Sequence, residues 1–89
     1  MHWTVDIGDV AERQLLKLDS VARTRILDYL TERIDGCENP RRFGTALKGD
    51  KTGWWRYRVG DYRLLCDVDD ARVVVFVIAI GHRREVYRS

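Results

Sequence analysis

The sequence predicts an α+β fold, a small antiparallel-rich twisted sheet packed against an N-terminal helical hairpin, in the order β-α-α-β-β-β with room for a short final strand. Three observations predict it. Trp3-Thr4-Val5-Asp6-Ile7 alternates apolar and polar residues, the period of a strand. Residues 9 to 34 then repeat apolar side chains at helical spacing with one break. From residue 54 onward, strand-like runs alternate with short polar turns.

Taken in order, Gly8 and Asp9 end the first strand, and Asp9 with Glu12 reads as a capping pair. Ala11, Leu15 and Leu18 follow on one helical face. Ser20, a favourable N-cap type, opens a second helix whose apolar face holds Ile26, Leu27, Leu30 and Ile34. Gly36 is its expected stop. Almost nothing joins the two helices, so they form an antiparallel hairpin. Residues 37 to 53 hold Pro40, Gly44, Gly49 and Gly53 and read as a loop, with a short extended piece at Thr45 to Lys48. Trp54 to Val59 is strand-like. Gly60-Asp61 is a two-residue hairpin turn, and the return strand reaches Val68. Asp69-Asp70-Ala71 turns the chain again. Arg72 to Ile80 is a long apolar run, the pattern of a strand buried on both faces. A short strand at Glu85 to Arg88 would complete the sheet.

Eighty-nine residues allow one domain, residues 1–89. A hydrophobic content of 45% with 34% charged residues is a globular composition. No run approaches the roughly 18–20 apolar residues of a membrane helix. The start lacks a basic stretch followed by an apolar one, so no signal peptide is expected. Cys37 and Cys66 have no metal-site spacing and are too few for a disulfide framework, which places two reduced thiols in a cytoplasmic protein. No metal or cofactor is expected.

The net charge of +2 hides an uneven distribution. Residues 1–53 carry nine basic and nine acidic side chains, and residues 54–89 carry seven basic and five acidic ones. Every basic residue in the second part is arginine, whose planar fork matches phosphate oxygens. A genome rich in arginine codons accounts for the count alone equally well. The placement says more. A two-residue turn pairs Val59 with Tyr62 and Arg58 with Arg63. Arg56, Arg58 and Arg63 then share one face, and Trp55, Tyr57, Tyr62 and Leu64 take the other. Like charges directly opposed destabilise a hairpin. An anion between them offsets that cost; ion pairs to Asp61, Asp67 or Glu85 are the plainer account. Gly81-His82-Arg83-Arg84-Glu85-Val86-Tyr87-Arg88 follows the last apolar run and brings more arginines, a histidine and a tyrosine to the same sheet. The tryptophans and Tyr57 could stack bases but are more simply core.

Leu47-Lys48-Gly49, Trp55-Arg56-Tyr57-Arg58-Val59, Asp61-Tyr62-Arg63-Leu64-Leu65, the Val-Val-Val-Phe-Val-Ile run and Gly-His-Arg-Arg-Glu-Val-Tyr together resemble the RelE/ParE toxin superfamily. The resemblance spans nearly the whole chain and is nearest to the RelE branch, the ribosome-dependent messenger RNA endonucleases. It implies a cytoplasmic type II toxin that cuts messenger RNA in the ribosomal A site by attack of a 2′-hydroxyl on the adjacent phosphate. It implies a RelB-like antitoxin as partner, in a hetero-oligomeric complex that binds operator DNA through the antitoxin.

Residue by residue, the resemblance implies that Arg63 and Arg83 hold the scissile phosphate. It implies that Tyr87 acts on the 2′-hydroxyl, and that Arg56 and Arg58 bind phosphate or RNA beside it. Arg84 and Lys48 extend the RNA-binding set. The best-known pattern has lysines at the positions of Arg56 and Arg58. Arginine keeps its proton at working pH, which leaves His82 as a candidate donor to the leaving oxygen. The C-terminal helix of some relatives is expected to be missing. The alternatives are a ParE-like poison of DNA gyrase and a non-catalytic RNA-binding module.

Overall fold

The computed structural model describes residues 2–48 and 53–82. Strand β1 (Thr4–Ile7) leads into helix α1 (Asp9–Leu16) and helix α2 (Ser20–Tyr29), which continues as a π-helical turn, Leu30–Ile34. After a 3-10 turn at Pro40–Arg42 come strands β2 (Thr45–Ala46), β3 (Trp55–Val59), β4 (Tyr62–Asp69) and β5 (Val74–His82). The strands form one sheet in the order β1-β5-β4-β3-β2, parallel between β1 and β5 and antiparallel elsewhere. The expected α+β architecture and hairpin are present. The expected strand at Glu85 to Arg88 lies outside the described residues.

The helix starts differ from the sequence reading by one residue each. Gly8, not Asp9, is the N-cap of α1 and offers no side chain; Asp9 and Glu12 sit in the first turn, near the positive end of the helix. Asp19, not Ser20, caps α2, its carboxylate accepting from the Ala22 amide at 2.8 Å. A carboxylate one residue earlier satisfies the orphan amide and leaves Ser20 as the first helical residue. Arg23 ties the hairpin together: its Nη2 donates to the Leu18 carbonyl at 2.8 Å and its Nε to that of Leu15 at 3.4 Å. Those carbonyls lie at and just after the end of α1, where the Leu15 carbonyl also accepts from the Leu18 amide at 3.2 Å.

Gly36, with φ of 82°, ends the second helix as expected. Its amide donates to Trp3 at 2.7 Å, and Trp3 donates to Cys37 at 3.0 Å. The end of the helix is thereby stitched to the start of β1.

The core lies between the hairpin and one sheet face. Ala11, Leu15, Ile26, Leu30 and Ile34 pack against Tyr57, Leu64, Cys66, Val75, Val77 and Ile80. Burying a large aliphatic side chain contributes about 1.5–3 kcal/mol. Tyr57 is fully buried, and its hydroxyl donates to the Pro40 carbonyl at 2.7 Å, which pins the loop before β2 to the core.

Two features of β5 depart from expectation. The strand starts at Val74, because Val73 sits in the preceding turn with φ of 58°, a strained conformation for a β-branched residue. Nor is β5 buried on both faces, since Phe76 is 38% exposed. The β4–β5 register also slips. Leu65 faces Ala79, but Cys66 faces Val77, so Ile78 is an extra residue in a β-bulge. Beside the bulge the Ile80 amide donates to Gln14 Oε1 at 2.6 Å, so helix α1 supplies the partner beyond the end of β1.

Candidate functional site

The two-residue turn is present as read. Val59 pairs with Tyr62 and Arg58 with Arg63, and Gly60 takes φ of 59°, as a II′-type hairpin turn requires. Strand alternation then divides the side chains. Trp55, Tyr57, Leu64, Cys66 and Val68 point towards the helices. Arg56, Arg58, Arg63, Leu65 and Asp67 take the opposite face, which none of the described helices covers.

On that face the residues form rungs across the strands. One rung is Arg58, Arg63 and Gly81; the next is Arg56, Leu65 and Ala79. Arg58 is exposed, Arg56 is half-buried, and Arg63 is only 8% exposed. Arginine is seldom so buried. The Nη1 of Arg63 donates to the Tyr62 carbonyl at 3.3 Å. Gly81, its register partner on β5, puts no side chain beside it. Two guanidinium groups on one rung, one fixed by burial and one free to reach outward, make an anion-binding arrangement.

His82 lies elsewhere. It is in register with Tyr62, and the two rings meet edge to face at 6.0 Å between centroids. Its neighbours across a small cleft are Gln14, Lys17 and Leu18 of the hairpin. The bulge is the reason: the extra residue at Ile78 moves Gly81 onto the arginine face and His82 onto the helix face. The structure thus brings Arg56, Arg58 and Arg63 together and sets His82 apart from them. Lys48 is exposed in the segment after β2, which pairs with β3. Arg83, Arg84 and Tyr87 lie outside the described residues. Among the described residues no cluster of His, Cys, Asp or Glu side chains is placed to hold a metal ion, and no helix is long and apolar enough to cross a membrane.

Two residues of this face escaped the sequence reading. Trp54, read as more simply core than base-stacking, and Phe76, expected in a strand buried on both faces, are each 38% exposed. Trp54 immediately precedes β3, and its carbonyl accepts from the Leu47 amide at 3.1 Å, so the β2–β3 ladder extends through it. Alternation puts Trp54 on the arginine face. Phe76 reaches that face through its register with Asp67. No alternation of polar and apolar residues marks Phe76 as facing outward, because the run Val73 to Ile80 is uniformly apolar.

Comparison with known proteins gives this geometry a family. The model of the family described as the ParE toxin of type II toxin-antitoxin systems, parDE, matches residues 5–87. Toxin RelG of Mycobacterium tuberculosis is 34% identical over 90 residues, covering 99% of this chain and 99% of that protein. The mRNA interferase toxin RelE of Escherichia coli is 34% identical over 90 residues, covering 98% and 92%. Among solved structures, the toxin-antitoxin complex RelBE2 of Mycobacterium tuberculosis superposes with a TM-score of 0.84 at 28% identity, covering 93% of this chain and 100% of that one. A mutant of Escherichia coli RelE in the free state gives 0.76 at 30% identity, covering 97% and 88%. The chain belongs to this family, the RelE-like toxins of type II toxin-antitoxin systems.

Proposed function

We propose that this chain is a ribosome-dependent endoribonuclease that cuts messenger RNA in the A site and is held inactive by a RelB-like antitoxin. The carrying observation is the rung of Arg58 and Arg63 on the sheet face opposite the described helices, with Arg56 beside it. A phosphodiester lying along that face meets two guanidinium groups at once. In the reaction the 2′-oxygen attacks the adjacent phosphorus and the bond to the 5′-oxygen breaks, which leaves a cyclic phosphate and a 5′-oxygen that takes its proton from water to become the 5′-hydroxyl. Charge on the phosphoryl oxygens grows in the transition state. A buried, positioned arginine such as Arg63 stabilises that charge without reorganising. In this reading Arg83 shares the phosphate, Tyr87 takes the 2′-hydroxyl proton, and Arg56, Arg58, Arg84 and Lys48 hold flanking RNA.

His82 is on the other face, so this reading gives it no proton to transfer. The curated relatives support the reading: the Escherichia coli protein is named an mRNA interferase. Solved relatives include RelE toxins in complex with antitoxin, which supports a hetero-oligomeric resting state. The test is expression with and without the neighbouring antitoxin gene, followed by mapping of messenger RNA ends. New ends inside codons are expected for the wild type and absent for Arg63→Ala. Intact messenger RNA under wild-type growth arrest would sink the reading.

A second reading is a ParE-like toxin that poisons DNA gyrase; the matching family is that of the ParE toxins of type II toxin-antitoxin systems. It predicts trapped gyrase–DNA complexes and no new messenger RNA ends.

A further inference from the structure

Beyond the arginines, the same sheet face carries a third rung: Trp54, Asp67, Phe76 and Asp6. Asp67 is in register with Phe76, and Phe76 with Asp6. Trp54 extends the β3 ladder by one residue and so falls opposite Asp67. The two rings lie two strands apart, roughly 10 Å, with an exposed carboxylate between them. The rung is about 7 Å from Arg56 and about 14 Å from the Arg58–Arg63 pair along the strands.

Its chemistry is opposite to that of the arginine rungs. Two carboxylates repel a phosphate, so the RNA backbone does not pass here. Two half-exposed rings and a carboxylate suit a base instead. Rings offer stacking surfaces that every base can use. A carboxylate accepts hydrogen bonds, and among the bases the exocyclic amino groups of adenine, cytosine and guanine donate at the Watson–Crick edge, where uracil has only its ring N–H.

Phe76 is held in place for this. A Cβ on Gly8 would come within 2.7 Å of its ring, so the ring rests on the bare backbone between β1 and α1, with its other side open.

We propose that Trp54, Asp67 and Phe76 form a base-recognition subsite for single-stranded RNA. The rings stack a nucleobase about 7 Å beyond Arg56 along the strands, and Asp67 favours amino-bearing bases over uracil. The subsite rests on the endoribonuclease reading, because it assumes that the arginine rungs hold RNA.

The test measures binding of labelled hexaadenylate, hexacytidylate and hexauridylate to the purified full chain by fluorescence anisotropy, at low and moderate salt. Wild type should bind the adenine and cytosine oligomers more tightly than the uracil one. Trp54→Ala and Phe76→Ala should each weaken binding by roughly 5-fold to 100-fold, and Phe76→Tyr should restore it. Asp67→Asn, an exposed change that leaves the core alone, should narrow the preference against uracil. Circular dichroism and a thermal melt establish that each variant is folded.

Folded ring variants that bind RNA as tightly as wild type overturn the subsite and leave the proposed function standing. So does a wild type that ignores all three oligomers yet still creates messenger RNA ends on ribosomes. Ring variants that bind RNA normally but bind the antitoxin weakly also overturn it, and assign the rung to the protein partner. Loss of messenger RNA ends in the wild type is the separate outcome that removes the function itself.

Discussion

Arg58 and Arg63 stand directly opposite each other across the β3–β4 hairpin, one exposed and the other 8% exposed. Opposed like charges cost a hairpin stability. In the proposed reading the placement trades stability for a binding surface, and the two effects can be separated. Arg58→Thr should raise the hairpin's contribution by about 0.2–1 kcal/mol while weakening growth inhibition. Thermal melts and plating efficiency of the same variant check both halves. A variant that is neither more stable nor less toxic would remove the argument.

Arg63→Ala tests the phosphate site more sharply. Removing one positioned donor to a developing charge lowers the rate by about 100-fold to 1,000-fold. Single-turnover cleavage of messenger RNA on ribosomes is the measurement. Tyr87→Phe should fall comparably if the hydroxyl serves as base, whereas His82→Gln should stay within a few-fold of wild type. A severe loss in His82→Gln would mean that the ring moves to the arginine face in the reacting complex.

The buried hydroxyl of Tyr57 makes a cleaner structural probe. Burial pushes its pKa well above the ordinary phenol value, so it stays protonated and keeps donating to Pro40. Tyr57→Phe keeps the ring and strands the carbonyl, at a cost of about 1–3 kcal/mol. Denaturant unfolding should show the loss, and RNA cleavage at a temperature where the variant is folded should not change.

Gln14 is the corresponding test of the bulge. Its side chain accepts from the Ile80 amide beside Ile78. Gln14→Leu should destabilise by about 1–3 kcal/mol. Amide exchange at Ile80 should accelerate more than exchange at Leu64 in the adjacent strand. Equal acceleration everywhere would show only global loosening.

Arg41 and Asp70 join the turn before β2 to the turn before β5 through two contacts of 2.9 Å. The hydrogen-bonded guanidinium of Arg41 holds the Asp70 carboxyl below its usual pKa. A depressed carboxylate stabilises the folded state above its unfolded pKa, near 3.9, and that contribution disappears as pH falls through the folded value. Stability should therefore drop less between pH 6 and pH 3 in Asp70→Asn than in wild type. Because the pair is exposed, the difference should shrink in high salt.

Much of the molecule was legible in the chain. Alternation in Trp3 to Ile7, helical spacing from Ala11 to Ile34 and the Gly60-Asp61 turn determined the strands, the hairpin and the Arg58–Arg63 register, because each is a local rule acting over a few residues. The helix caps were off by one, since Asp19 and Ser20 are both suitable caps and only the backbone path chooses. The bulge at Ile78 was not legible at all. In a run of Val, Ile and Ala, any residue can be the extra one without changing apolar content. Packing against α1 and the Gln14 bond to Ile80 go with one choice. That choice puts Gly81 beside Arg63 and turns His82 towards Tyr62. The sequence by itself determined which residues the sheet would carry. Which face each occupied beyond the bulge was decided by tertiary packing, because strand periodicity carries phase only as far as the first irregularity.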